Sequence, residues 1–174
     1  MKYTAYEVLE MAVQTEKEAR HFYESAASAA TDERIQALLR FLAAEEERHI
    51  RAFETIGRAH RPTPEEQPYK WDEATLYLKA ITDSRYFLGG GKALSLVRQT
   101  LTPAQVLATA LSFEKETLLF YYGLLDTVEP KARTAVAAII AQEKDHVRRI
   151  HELLEAIGTC PTETEGGPCE SCQL

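Results

Sequence analysis

The sequence predicts an all-α protein, a four-helix bundle in which one long crossover connection joins two helix pairs. Three observations predict it. Four long stretches place apolar residues at helical spacing, with little strand-like alternation. Short links separate the first stretch from the second and the third from the fourth, which favours antiparallel neighbours within each pair. About 40 residues separate the pairs, enough for the second pair to dock across the first.

The first helix is expected from about Thr4 to Ala30, in a segment rich in Ala, Glu and Lys. Asp32 is a suitable N-cap for the second, "ERIQALLRFLAAEEERHIRAFETIG", which should stop near Gly57. The following "RPTPEEQPYKW" puts three prolines within seven residues and cannot continue a helix. A crossover over about 61–102 follows, with shorter helices expected in 73–100, broken at Gly89, Gly90 and Gly91. In "LTPAQVL", Thr102 caps a third helix with Pro103 at its first position; it should run to about Val128. Pro130 opens the fourth, which should end near Gly158. The bundle thus occupies 1–158. The polar, Gly/Pro-rich remainder, 159–174, reads as a flexible tail.

With 174 residues the chain is long enough for one domain with a sizeable core. A net charge of −7 argues against general nucleic-acid binding, which needs a basic face. No apolar run approaches the ~18 residues of a membrane span, and the N-terminus carries acids that do not suit a signal peptide. A cytoplasmic protein without membrane partners is expected. Cys160, Cys169 and Cys172 all lie in the last 15 residues and cannot be a disulfide framework for a domain this size. The pair in "CESC" could form a redox disulfide or contribute metal ligands, or remain reduced in a mobile tail.

The chemistry lies in acids that interrupt apolar stripes. Residues seven apart share nearly one helix face. Counting by sevens gives Leu9, Glu16, Tyr23, Ala30 on the first helix and Leu39, Glu46, Phe53 on the second. The third gives Leu107, Glu114, Tyr121, Val128, and the fourth gives Val136, Glu143, Ile150, Ile157. Two histidines behave alike: Leu42, His49, Ile56 and Ile139, His146, Leu153. Glu18, Glu47, Glu116 and Asp145 fall off these lines and can face water. The pattern is also an internal repeat. "EKEARHFY" and "EKETLLFY" each set a Tyr seven residues after the Glu; "EERH" and "EKDH" follow about 30 residues later.

A lone Glu-x-x-His on a Glu-rich helix is ordinarily a solvated face. Two of them, each preceded by Glu-x6-Tyr, are harder to dismiss. Four carboxylates converging in one core would repel and would not all ionise unaided. Two divalent cations supply +4 against −4, and two imidazoles complete the shells. One Glu from each of two helices plus Glu-x-x-His from each of the other two matches the known di-metal carboxylate arrangement. The candidate ligands are therefore Glu16, Glu46, His49, Glu114, Glu143 and His146. Tyr23 and Tyr121 are candidates to support them, with each hydroxyl directed to a ligand carboxylate on a neighbouring helix. His21, His60 and His151 lie off the ligand lines and are expected at the surface. A carboxylate-rich shell with two nitrogens suits iron, with manganese possible.

At these residues the chain resembles the rubrerythrin branch of the ferritin-like di-iron carboxylate superfamily, over roughly residues 5–157. The resemblance implies that Glu46 and Glu143 bridge two iron ions, with Glu16 and Glu114 as terminal carboxylates and one histidine per iron. It implies a non-haem di-iron oxidoreductase that reduces hydrogen peroxide or oxygen, with electrons from an external donor protein. A homodimer or larger homo-oligomer is expected. The alternative is a ferritin-like protein that oxidises iron and stores it or passes it on. Two departures stand out. Rubrerythrins carry an extra glutamate three residues after the third-helix ligand, where this chain has Thr117. They also usually carry a rubredoxin domain, for which this chain has too few cysteines.

Overall fold

The computed structural model describes residues 5–59, 102–126, 128 and 130–158. Helix α1 spans Ala5–Ala29, α2 Glu33–Ala59, α3 Pro103–Leu125 and α4 Pro130–Gly158. The expected crossover elements, His60 and the cysteine tail lie outside the described residues.

Local chemistry sets most of the helix ends. Asp32 Oδ1 accepts from the backbone N–H groups of Arg34 and Ile35, at 2.8 and 3.3 Å, satisfying donors that the first turn of α2 leaves free. Thr102 forms a reciprocal capping box with Gln105, and Pro103 follows it in the first turn. Helix α2 does not stop at Gly57. That residue is buried within the helix without a positive φ, and α2 continues through Arg58 and Ala59. A glycine ends a helix when the chain turns left-handed there, which does not happen here. Helix α3 closes sooner than expected, with Asp126 as its C-cap. The residue before Pro130 is disfavoured in helical conformation, so the chain must leave the helix before α4. Val128 nevertheless stays buried and its N–H donates to Leu124 O at 3.2 Å.

Helices α1 and α2 pack as one pair and α3 and α4 as another; the pairs meet through α1 against α3 and α2 against α4. The bundle is all-α, as the sequence predicts. Its interior divides into two apolar clusters. Val8, Leu9, Phe53, Phe120, Leu124, Val136 and Ile139 belong to one. Phe22, Ile35, Leu39, Leu42, Leu107, Phe113 and Ile150 belong to the other. Each such side chain gains ~1.5–3 kcal/mol on burial. All four helices contribute to both clusters, and along every helix the apolar run breaks at the same depth. The charged residues of the sequence motifs occupy that break. No described helix is long and apolar enough to cross a membrane.

Candidate metal centre

Between the two clusters lies a buried polar layer. Glu16, Glu114 and Glu143 are 0% exposed, and Glu46, His49 and His146 are 1% exposed. All six side chains singled out by the heptad count are thus brought to one layer. Tyr23 and Tyr121 are there too, each crossing to the other helix pair. The Tyr23 hydroxyl donates to Glu114 Oε1, and the Tyr121 hydroxyl donates to Glu16 Oε1. His21 and His151 are exposed at the surface.

The six residues form two overlapping groups. Glu16, Glu46, His49 and Glu143 can each offer a ligand atom within 4.8 Å of the others; so can Glu46, Glu114, Glu143 and His146. Glu46 and Glu143 belong to both. His49 Nδ1 lies 2.9 Å from Glu46 Oε2, 2.8 Å from Glu143 Oε1 and 3.5 Å from Glu16 Oε1. His146 Nδ1 lies 2.9 Å from Glu143 Oε2, 3.5 Å from Glu46 Oε1 and 3.7 Å from Glu114 Oε1. The two imidazoles stack with centroids 5.6 Å apart.

One of these short approaches, His49 Nδ1 to Glu46 Oε2, is a hydrogen bond, and the others are not. Both Glu143 oxygens, Glu46 Oε1 and His146 Nδ1 are buried without a hydrogen-bond partner, as are Glu16 Oε2 and Glu114 Oε2. Buried carboxylate oxygens left unpaired are costly. Nitrogen and oxygen atoms that sit under 3 Å apart without aligning as donor and acceptor are converging on shared space. A cation between them satisfies all of them at once. The donor set of four carboxylates and two imidazoles balances two divalent ions, and its oxygen-rich character fits iron or manganese.

Electrostatics without metal give the same picture. Burial, then the charges of Glu143, Glu16 and Glu114, raise the Glu46 carboxyl well above the ordinary range. Burial and the Glu143 charge push Glu114 up to about 8. Burial acts the same way on Glu143, but His146 and His49 outweigh it and hold that carboxylate below the ordinary range. For His146 burial lowers the value, yet the adjoining Glu114 and Glu143 raise it to about 9. Burial and the neighbouring carboxylates raise both tyrosines, so the phenols stay protonated as donors. A buried cluster of carboxylates such as this attracts protons and cations alike.

The outer edge of the layer contains residues that the heptad count passed over. His49 Nε2 lies 2.8 Å from Gln142 Oε1. An amide oxygen and a carboxylate oxygen both accept, so both His49 nitrogens carry protons here, and a bound cation would take the place of the Nδ1 proton. Glu45 is 7% exposed and pairs with Arg48. It can offer an oxygen within 4.8 Å of ligand atoms of His49 and His146. Glu45 precedes His49 by four residues, as Gln142 precedes His146, so the i, i+4 rule applied outward from the histidines would have found both.

A family model for the ferritin-like domain matches residues 4–156. The chain belongs to the ferritin-like domain family. A search of curated proteins finds no match. Among solved structures, this ferritin-like chain is similar to a Thermotoga maritima protein described as a proposed ferritin-like diiron-carboxylate protein. The TM-score is 0.64 at 28% identity, over 88% of this chain and 96% of that one. The ferritin-like fold accounts for the order of the elements, two antiparallel helix pairs around one carboxylate-rich layer.

Proposed function

We propose that this ferritin-like protein is a non-haem di-iron oxidoreductase of the rubrerythrin type, reducing hydrogen peroxide or oxygen with electrons from an external donor protein. The observation that carries this reading is the sharing of Glu46 and Glu143 by both ligand groups. In it, Glu46 and Glu143 would serve both of two metal positions. Glu16 and His49 complete one position; Glu114 and His146 complete the other. The similar Thermotoga maritima protein, named for a diiron-carboxylate centre, supports iron over manganese.

Iron held by these residues would supply the electrons that reduce an O–O bond. The protein's own part is positional. The two apolar clusters keep bulk water from the layer, so charges inside it act at low dielectric. Tyr23 and Tyr121 hold Glu114 and Glu16 in place by donating to one oxygen of each, leaving the second oxygen free. Gln142 fixes the His49 ring with Nδ1 inward. A nearly complete shell of six protein ligands favours metals retained as a cofactor through many turnovers.

The second reading, in which iron is itself oxidised and then stored or passed on, is favoured by Thr117. A hydroxyl stands where rubrerythrins carry the glutamate of their redox-linked ligand exchange. Anaerobic iron loading followed by stopped-flow mixing with peroxide or oxygen separates the two. We expect retained iron, oxidised faster by peroxide. Oxygen reacting much faster, or iron leaving for a mineral, would favour the second reading.

A further inference from the structure

Thr117 lies three residues after Glu114 and four before Tyr121, on the helix face that those two direct into the polar layer. It is 1% exposed, and its Oγ1 is buried without a hydrogen-bond partner. Hydroxyls inside helices ordinarily resolve this by bonding the carbonyl one turn back. Thr15, the other buried threonine at this depth, does so: its Oγ1 donates to Met11 O at 2.9 Å. Ser112, on the same helix as Thr117, donates to Ala108 O at 3.0 Å. Thr117 forgoes that bond.

Both tyrosine hydroxyls of the layer are committed, and the unpartnered His146 nitrogens belong to a candidate ligand. Tyr23 and Tyr121 give their protons to Glu114 and Glu16, and His49 Nε2 faces Gln142. Carboxylates that hold a cation are ionised and only accept. Thr117 therefore carries the uncommitted hydroxyl among the described residues of the layer, and it has no counterpart in the other helix pair. The equivalent position there, three residues after Glu16, is Ala19.

We infer that the Thr117 hydroxyl is the hydrogen-bond donor for a small exogenous ligand of the peroxide class, or an anion of similar size, admitted to the centre on its α3 side. This rests on the di-iron reading above. Such a ligand offers an acceptor atom that the carboxylate-rich lining cannot serve, and a donor already in place needs no rearrangement to meet it. A preference for one side of a nearly symmetric centre follows from Thr117 and Ala19 alone.

The test compares the native protein with Thr117→Val, which keeps the shape and removes the hydroxyl, and with Thr117→Ser, which restores it. Each is loaded with iron, oxidised and titrated with azide by visible absorbance. Iron content and the azide-free thermal midpoint are measured alongside. Native and Thr117→Ser should bind azide alike, and Thr117→Val about tenfold or more weakly at unchanged iron content. The thermal midpoint of Thr117→Val should equal or exceed the native one, because an unpaired buried hydroxyl has been replaced by an apolar isostere. Equal azide affinity in Thr117→Val overturns the proposal. So does a clear fall in its thermal midpoint, which would make the hydroxyl structural, and so does an iron-loaded native protein that binds no azide. A native protein that takes up no iron would instead refute the di-iron reading itself.

Discussion

The two helix pairs carry the same ligands and different surroundings. Glu16, Glu46 and His49 on α1 and α2 are matched by Glu114, Glu143 and His146 on α3 and α4, and Tyr23 is matched by Tyr121. The matched tyrosines even exchange partners across the bundle. Around this repeated set the pairs diverge. Ala19 faces Thr117 in the repeat, and Glu45 faces Gln142. On the proposed reading, the charge balance of two metals accounts for the repeated carboxylates. Neighbouring positions are free to differ, and they are where one side of the centre can be made unlike the other.

The shared carboxylates are the strongest place to break this comparison. Glu46→Ala or Glu143→Ala should lose both metals, because each residue belongs to both ligand groups. Metal analysis showing two ions still bound to either variant would contradict that role. Glu16→Ala and Glu114→Ala should each weaken one position more than the other, in opposite senses. Competitive titration with a second metal would read the difference, and equal weakening of both positions would remove the distinction between shared and terminal ligands.

A smaller effect is expected from the tyrosines. Tyr23→Phe and Tyr121→Phe each remove a donor to a ligand carboxylate and keep the ring packing. Outer hydrogen bonds of this kind typically matter by about 10- to 100-fold in metal affinity, and the lower end is expected here. Unequal losses in the two variants would show that the pairs already differ at this shell.

The metal-free protein should show a pH dependence of several degrees in its thermal midpoint. Glu46 is raised well above its ordinary range, Glu114 to about 8 and His146 to about 9. The folded chain therefore holds more protons than the unfolded one from about pH 5 to 9, and stability falls as pH rises through that window. Glu143, held low, acts oppositely only in acid below its ordinary value of 4.5. The midpoint should rise on going from pH 8 to 5. A flat profile would mean that the carboxylates are solvated when the metals are absent.

Much of this was legible in the sequence because each ligand acid stands in line with apolar residues on its own helix. Leu39, Glu46 and Phe53 are all buried at 0–1% exposure, so one helix's periodicity was enough to place Glu46 inside. Glu45 was legible in the same way and was passed over: Leu38, Glu45 and Ala52 also fall in line by sevens. It lies about 100° round the helix from Glu46, near His146 of the other helix pair. The end of α2 fell within two residues of the expected Gly57, at Ala59, because Gly57 permits a left-handed turn but does not compel one.

The central claim is that two metals share Glu46 and Glu143 in one buried layer. Anaerobic titration of the metal-free native protein with iron(II), followed by separation and metal analysis, tests it most directly. The account requires uptake that stops at two ions per chain, with Glu46→Ala retaining close to none. A native endpoint of one ion or none would contradict it, as would a Glu46→Ala protein that still holds two.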